Sequence, residues 1–180
     1  SDRSMFIYGS GKMDVEKTYD ALMNKFKWGN FDKKKLFVDH SYAPSVQGLR
    51  MMMMRLASLY EARGDKEKAA SVALRYFESF PNMNFQYDLR VMPFIQSLVG
   101  AGKLDDAKKH LKILAIETAD MMNFYNSLSA EELKSSFQQE KAYANSAVRE
   151  ILLRSGELQD QEFEKEMKEY DNVQFIYIAK

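Results

Sequence analysis

The sequence contains no cysteine, only three prolines and eight glycines, and no long run of uncharged residues. Without cysteine, disulfides and thiolate chemistry are excluded, but the compartment stays open because a helical core of this size needs no cross-links. The longest uncharged run, Val91 to Gly102, is too short to cross a membrane and contains Pro93 and two glycines. We therefore expect neither a membrane span nor a signal peptide in these residues.

An overall charge is also missing, because 26 acidic and 26 basic residues cancel. A neutral chain has no overall field that attracts nucleic acid, and we expect no nucleic-acid partner. The length of 180 residues favours one domain over residues 1–180, which would bury roughly 70% of the surface of the unfolded chain. The chain begins with Ser1, and we expect a processed product or an excised domain.

The stretch from Leu49 to Pro81 predicts two antiparallel helices joined at Arg63-Gly64-Asp65. Apolar residues recur at three- and four-residue spacing in each helix, which places them on one face. They are Leu49, Met53, Leu56 and Tyr60 in the first helix and Ala69, Val72, Ala73, Tyr76, Phe77 and Phe80 in the second. Gly64 can adopt the left-handed conformation at the turn, Asp65 can cap the second helix, and Pro81 stops it.

A second hairpin follows the first with the same logic. Gly102 comes 38 residues after Gly64, and its neighbours repeat the turn pattern. Asp88 can cap a short turn before a helix that begins at about Pro93, since proline is tolerated in the first helical turn. This unit is the weaker of the two, because Leu98 stands at the aromatic position of the first hairpin and no proline closes it.

The amino-terminal segments predict one more helix and a long connection. Asp14 is expected to cap a helix that runs to about Lys27. The inner face of this helix would hold Val15, Tyr19, Leu22, Met23 and Phe26. A connection as long as Asn30 to Ser45 is uncommon between helices, and we expect its apolar residues to pin it to the domain. These residues are Phe31, Leu36, Phe37 and Tyr42.

The carboxyl-terminal segments predict two further helices. Ser129 and Glu132 form a capping box for a long helix that ends at Ser155-Gly156. A short charged helix is expected at about 160–170. The tail from Val173 to Ile178 is too apolar to lie free in water, and we expect it to be extended, to pair with Met5 to Tyr8 or to cap the open end of the helix stack.

The hairpin from Leu49 to Pro81 resembles a tetratricopeptide repeat. The matching positions are Leu56, Ala57, Tyr60, Gly64, Ala69 and Pro81, whereas Tyr76 stands where the family usually has alanine. Two of these, Ala57 and Ala69, are small enough to let the helices approach closely. We therefore predict an all-α fold, a tetratricopeptide-like α-α superhelix of stacked antiparallel helical hairpins with short extended segments at both ends. Its hairpins would span about 49–81 and 88–127, and its carboxyl-terminal helices about 130–155 and 160–170. An ordinary helical hairpin is the alternative.

A more specific resemblance rests on the string from Tyr19 to Asn30, together with Leu49-Arg50-Met51 and Tyr87-Asp88, each of which we expect to open a helix. The string is similar to the carboxyl-terminal soluble region of a family of bacterial multi-spanning membrane proteins, whose membrane half is similar to protein O-mannosyltransferases. The resemblance covers roughly Asp14 to Leu128. It implies that any glycosyl-transfer site would lie in the membrane half, so no catalytic residue is assigned to this chain, and that the domain would face the periplasm.

Metal and cofactor chemistry has little support in the sequence. The two histidines, His40 and His110, are 70 positions apart, and a zinc site usually needs three or four ligands. We expect no metal, no cofactor and no enzymatic activity of this chain, and we expect His110 to lie on the surface of a helix. The run from Met51 to Met54 favours core packing over a methionine-rich binding face, since a helix covered on two sides accommodates it.

Opposite charges are concentrated in two segments. Residues 25–35 hold five lysines and one aspartate, a local net charge of +4, and residues 157–171 hold seven acids and two lysines, a local net charge of −5. Beside a membrane the lysines could meet anionic head groups. A solvated loop is the favoured interpretation, because charged runs commonly serve solubility.

The leading functional hypothesis is a non-catalytic domain that binds a protein or peptide, or positions substrate, for a membrane glycosyltransferase-like protein. Stacked hairpins create grooves for extended peptides or partner helices. The candidate interaction surface comprises Asn24, Lys25, Lys27, Trp28, Arg50, Tyr87 and Asp88. The partners would be a protein or peptide, the chain's own membrane half, and possible glycan. Alternatives are a carbohydrate-binding helper in which Trp28 and Tyr42 are exposed together, a helical enzyme with two facing carboxylates in a cleft, and a cytoplasmic adaptor.

Overall fold

The computed structural model describes residues 12–176, with the side chains of residues 40 and 171–176 left out of the description. Its helices are α1 (Val15–Asp20), α2 (Ala43–Ala62), α3 (Lys66–Ser79), α4 (Met92–Gly100), α5 (Leu104–Ser127), α6 (Ala130–Glu132), α7 (Gln138–Glu157) and α8 (Gln161–Ile176). Single π-helical turns continue α1 at Ala21–Lys25 and join α6 to α7 at Leu133–Phe137, and short 3-10 helices lie at His40–Tyr42 and Leu89–Val91. The described residues contain no strand. The predicted all-α class is therefore confirmed.

The first hairpin consists of α2 and α3, which form the most extensive contact between two helices in the described residues. Gly64 adopts a left-handed conformation with φ 81° at the turn, and the Asp65 side chain accepts a hydrogen bond from the Lys68 amide at the start of α3. The predicted start of α2 at Leu49 was wrong, because the helix begins at Ala43 with Pro44 in its first turn. Proline fits there since the first amides of a helix have no partner within the helix. Arg50 therefore lies inside α2 and does not open it.

The second hairpin, α4 and α5, repeats the main backbone hydrogen bonds of the first turn. The amide of residue 65 donates to the carbonyl of Tyr60 at 2.9 Å, and the amide of residue 103 donates to that of Leu98 at 2.9 Å. The glycine amides of the two turns each bond the carbonyl three residues earlier at 2.9 Å, and Gly102 has φ 75°. Each pair of equivalent atoms is separated by 38 residues. The predicted spacing thus describes two equivalent turns.

Aromatic rings fill the space between the two hairpins. Tyr76 stacks on Phe94 with ring centroids 4.0 Å apart, and it also contacts Phe77 and Phe80. The bulky Tyr76, which departs from the tetratricopeptide pattern, is accommodated because Phe94 of α4 supplies a facing ring. The methionine run of α2 is divided, since Met53 is fully buried whereas Met51 is exposed. Core packing therefore accounts for only part of that run.

The carboxyl-terminal helices pack on α5 and on each other. Lys108 pairs with Asp160 at 2.6 Å and Lys112 with Glu166 at 2.5 Å, which holds α8 along α5. The Ser129–Glu132 capping box is present as predicted. Gly156 does not end α7, which continues to Glu157, and the residue with positive φ is Gln159.

The tail expected to be extended from Val173 is helical through Ile176, because α8 continues to that residue. Its predicted partner, Met5 to Tyr8, lies outside the described residues. At the amino-terminal end Asp14 caps α1 as predicted, but the helix ends at Lys25 and Phe26 is exposed instead of lying on the inner face. Within residues 12–176, no helix is both long and apolar enough to cross a membrane.

Candidate interaction site

The connection between α1 and α2 is fixed by one side chain from a distant part of the sequence. Asn84 donates to the carbonyls of Phe31 at 2.6 Å and Lys34 at 2.9 Å, and its amide oxygen accepts from the Leu36 amide at 2.7 Å. The ring of Phe31 packs edge-on against Phe85, with centroids 5.0 Å apart. The prediction that apolar residues pin this connection is correct only for Phe31, since Leu36, Phe37 and Tyr42 are exposed.

Trp28 forms one wall of the site at the end of α1. Its indole nitrogen donates to the Leu22 carbonyl at 3.3 Å. The ring lies 5.5 Å from Phe26 and 5.6 Å from Phe80, measured between centroids. These contacts leave Trp28 half-buried, with its indole N–H already bonded to the backbone. The tryptophan therefore offers a ring surface to a ligand, but no free hydrogen-bond donor.

An apolar groove of about 380 Å³ opens between this connection and the first hairpin. Its lining consists mostly of aromatic and aliphatic side chains: Trp28, Phe31, Leu36, Phe37, Val38, Tyr42, Val46, Leu49, Phe80 and Phe85, with Lys27, Gly29 and Ser45. Phe37 is 90% exposed and Tyr42 62% exposed at its edge. A groove with this lining favours a bulky apolar side chain, because burying such a group yields about 1.5–3 kcal/mol.

A polar pocket of about 340 Å³ adjoins the groove, and Val38, Val46 and Phe85 line both. The polar side chains that line it are Asp39, Gln47, Arg50, Asn84, Gln86, Asp88 and Arg90. The two depressions thus form one continuous surface with an apolar half and a polar half. Charged and amide groups in the polar half can orient a ligand whose apolar part occupies the groove.

The polar pocket centres on Asp88, which binds two guanidinium groups. The Nη1 atom of buried Arg50 lies 3.5 Å from Asp88 Oδ1, and Arg90 Nε lies 2.9 Å from both carboxylate oxygens. The hydrogen bonds that the Arg90 guanidinium donates to Asp88 raise the pKa of Arg90. Asp88 also caps the 3-10 helix by accepting from the Arg90 amide at 2.9 Å. One carboxylate therefore fixes both arginines and the start of the second hairpin.

The predicted site residues fall into four places. Lys27 and Trp28 line the groove, and Arg50 and Asp88 line the polar pocket. Asn24 and Lys25 bind Asp20 on α1, at 2.9 Å and 2.5 Å, and line neither depression. Tyr87 is only 2% exposed and faces the core. The structure therefore brings four of the seven residues to one continuous surface.

The hydroxyl of Tyr87 lies 3.1 Å from Nδ1 of His110. The imidazole also stacks on Phe77, with centroids 3.6 Å apart. The prediction that His110 is a surface residue was wrong, since it is 8% exposed. Burial, with a smaller contribution from Lys109, lowers the pKa of His110 to about 4. Burial likewise raises the pKa of Tyr87, so both groups stay neutral near neutral pH.

Sequence reasoning missed several residues that shape the surface, above all Asn84, Phe85 and Arg90. Asn84 and Phe85 lie between the two predicted hairpins, and Arg90 lies in the short turn predicted at Asp88. No local pattern relates Asn84 to carbonyls about fifty residues earlier. Among the described residues, no three His, Cys, Asp or Glu side chains come together in an arrangement that could hold a metal ion. Comparisons of the chain with protein-family models, curated proteins and solved structures gave no match.

Proposed function

We propose that this chain is an interaction module that binds a segment of a partner protein across the apolar groove and the polar pocket. The observation that carries the proposal is the continuity of the two depressions through Val38, Val46 and Phe85. Such a surface matches the general anatomy of peptide sites, in which an apolar anchor supplies affinity and a few polar groups supply orientation. The two equivalent glycine turns support a helical-repeat scaffold for this role.

The partner segment would carry a bulky apolar anchor flanked by acidic residues. The anchor fits the ring-lined groove, and the exposed Lys27 lies on its rim. Arg90 of the polar pocket has a side chain that is 47% exposed, which leaves part of its guanidinium open to a carboxylate. Charge complementarity of this kind fixes register more than it adds affinity.

Following the resemblance found in the sequence, we place this module in a membrane glycosyltransferase-like protein, where it would position a substrate protein or the membrane half itself. The corresponding location is the periplasmic face of the inner membrane, and a cytoplasmic adaptor is the alternative. A carbohydrate-binding helper is a second candidate, because Trp28 and Tyr42 line the same groove. The peptide hypothesis is favoured over it since the groove offers a sugar few hydrogen-bond partners.

Fluorescence anisotropy with short labelled peptides tests the proposal. The peptides, of about twelve residues to span both depressions, would carry a central Trp, Phe or Leu with either glutamate or lysine flanks. Binding should require the anchor and favour the acidic flanks. Tyr42→Ala should weaken it by about tenfold through lost apolar contact, and Arg90→Gln should remove the preference for acidic flanks.

Two exposed residues away from the site provide matched controls. Leu153→Ala removes an exposed apolar side chain of α7, and Arg149→Gln removes an exposed charge of the same helix. Neither should change peptide affinity. Absence of binding by every peptide, or equal losses in the control variants, would contradict a peptide site here. Binding of oligosaccharides with the same dependence on Tyr42 would instead favour the carbohydrate-binding helper.

A further inference from the structure

The connection before α2 carries a protruding apolar tip beside a run of lysines. We define the lysine loop as Lys33, Lys34, Lys35, Leu36 and Phe37, all of which are exposed. Phe37 is 90% exposed, the highest value among the large exposed apolar side chains of the described residues. A phenyl ring that stays in water does not contribute the stabilising free energy that its burial would provide. A loop that served only solubility would gain nothing from this ring.

Hydrogen bonds to the loop backbone hold Phe37 in its exposed position. Asn84 binds the carbonyls of residues 31 and 34 and the amide of residue 36. The amide of Lys33 also donates to the Asn30 carbonyl at 3.1 Å. Because these bonds fix the chain on both sides of the lysines, the loop holds Phe37 outward at a defined place beside the groove.

Among the residues that the structure describes, the lysines of this loop have no acidic partner. Within residues 12–176, no ion pair involves Lys33, Lys34, Lys35 or the nearby Lys27, whereas Lys25 is paired with Asp20. Asp32 is the acid adjacent to them in the sequence. Four lysines without partners therefore create a local positive field around the exposed ring, on a chain whose total charge is zero.

We propose that the lysine loop docks on the surface of an anionic lipid bilayer. The ammonium groups would meet the phosphates of the head groups, while Phe37 and Leu36 enter the boundary between head groups and acyl chains. Phe26, which is exposed and packs against the groove residue Trp28, has the aromatic character found at membrane–water interfaces.

A lipid surface fits these features better than a protein partner does. Lysine is depleted at protein–protein interfaces, where anchor residues lie in the middle of concave patches. Here the lysines are grouped and the ring protrudes. Lysine side chains can also lay their stems along apolar surface while the charge stays in water, which suits a soft interface.

Vesicle binding of the full chain tests this proposal. Trp28 is the chain's only tryptophan and lines the neighbouring groove, so its emission reports docking without a label. Vesicles of phosphatidylcholine alone would be compared with vesicles that contain about 30% phosphatidylglycerol, which supplies the negative surface potential. We expect binding to the anionic vesicles only, in emission shift and in flotation, and we expect added salt to weaken it.

Two variants separate the contributions of charge and of the ring. Replacing Lys33, Lys34 and Lys35 together by Gln should weaken binding roughly 100-fold, given the attraction expected for each basic residue near an anionic surface. Phe37→Ala should weaken it about tenfold. A control triple at Lys66, Lys109 and Lys134, all exposed elsewhere, makes the same change of charge and should leave binding unchanged. Leu153→Ala is the matched apolar control.

Three outcomes would overturn the proposal. The first is no binding to anionic vesicles beyond that to neutral ones, and the second is an equal loss in both lysine triples, which would reflect total charge alone. The third is loop-dependent binding of a single-stranded oligonucleotide or of an acidic peptide in place of vesicles, which would assign the loop to those partners. Because the peptide test above depends on Tyr42 and Arg90, either proposal can fail while the other stands.

Discussion

The turn at Gly64 and the lysine loop lie at opposite ends of the first hairpin and are built in different ways. The turn at Gly64 is made from bonds between neighbours in the sequence, and it recurs 38 residues later at Gly102 with equivalent partners. The lysine loop has no such counterpart, and Asn84, about fifty residues away, holds its backbone. The repeated turns are therefore stabilised by contacts between neighbouring residues, whereas the lysine loop, which is not repeated, depends on a distant residue and carries the exposed Phe37.

A second difference lies inside the repeat. Val72 of α3 corresponds to His110 of α5 at the same spacing of 38 residues, and both are buried. The apolar valine needs no partner, but the imidazole must be satisfied when it leaves water. Its partner is Tyr87, which comes from the connection between the hairpins. Where the repeat substitutes a polar residue, a unique connection therefore supplies the missing hydrogen bond.

The largest effect that we predict concerns His110 and acid. Because its pKa is lowered to about 4 in the folded chain, the unfolded chain takes up the proton first as the pH falls below about 6.5. The free energy of unfolding should thus decrease by about 2 kcal/mol between pH 7 and pH 5 from this group alone, and the loss should level off below the folded pKa. Urea denaturation at both pH values measures it.

The control for this prediction is His110→Phe, which keeps a ring against Phe77 and removes the titration. The variant loses the bond to Tyr87 and should be less stable at pH 7 by about 1–3 kcal/mol. Its stability should nevertheless fall less between the two pH values than that of the parent chain. Equal pH dependence in both chains would show that the imidazole does not titrate as its burial requires.

An intermediate effect is predicted for the two glycine turns. Gly64→Ala and Gly102→Ala should each lower the free energy of unfolding by about 1–2 kcal/mol, since both residues have positive φ and L side chains are strained there. Gly48 is the matched control. It lies within α2 with open space around it, so Gly48→Ala should stabilise the chain by about 0.5–1 kcal/mol. No change in stability for one of the two variants would contradict the equivalence of the two turns.

The smallest effect on stability is predicted at the lysine loop. Asn84→Ala removes three hydrogen bonds, but they lie near the surface, and the loss should stay near 1 kcal/mol. Tryptic cleavage after Lys33, Lys34 and Lys35 should become much faster, because the backbone is no longer held. Asn24→Ala, which breaks only a bond to Asp20, should leave the cleavage rate unchanged. Unchanged cleavage in the Asn84 variant would mean that other contacts fix the loop.

Much of the fold could be predicted because its determinants are local. Gly64 and Gly102 indicate turns, because glycine readily adopts the left-handed conformation. The side chains of Asp14, Asp65 and Ser129 can cap helices and so indicate where helices begin. The start of α2 was mispredicted because of Pro44. A proline breaks a helix when it lies in the interior, but it is equally suited to the first turn of one. The end of α7 was mispredicted because Gly156 stays helical and Gln159 adopts the left-handed conformation instead.

The candidate site was harder to predict because long-range contacts assemble it. Arg50 and Asp88 were both named from the sequence, but nothing local indicates that they pair across the two hairpins. The burial of His110 could not be read from its position in α5, since Tyr87 of the connection between the hairpins covers that face. The role of Asn84 could not be predicted, because a single side-chain amide that binds the backbone of a distant segment produces no pattern in the sequence.

The spacing of 38 residues, against about 34 in the usual repeat, has a practical consequence. The additional residues are absorbed before Asp88 without disturbing either turn, so the length of a connection and the geometry of the hairpin are decoupled. Segments of foreign sequence could therefore be grafted between the helices while the scaffold still assembles. The helical hairpins could therefore serve as a scaffold in protein engineering, with the connections between them replaced by new binding loops.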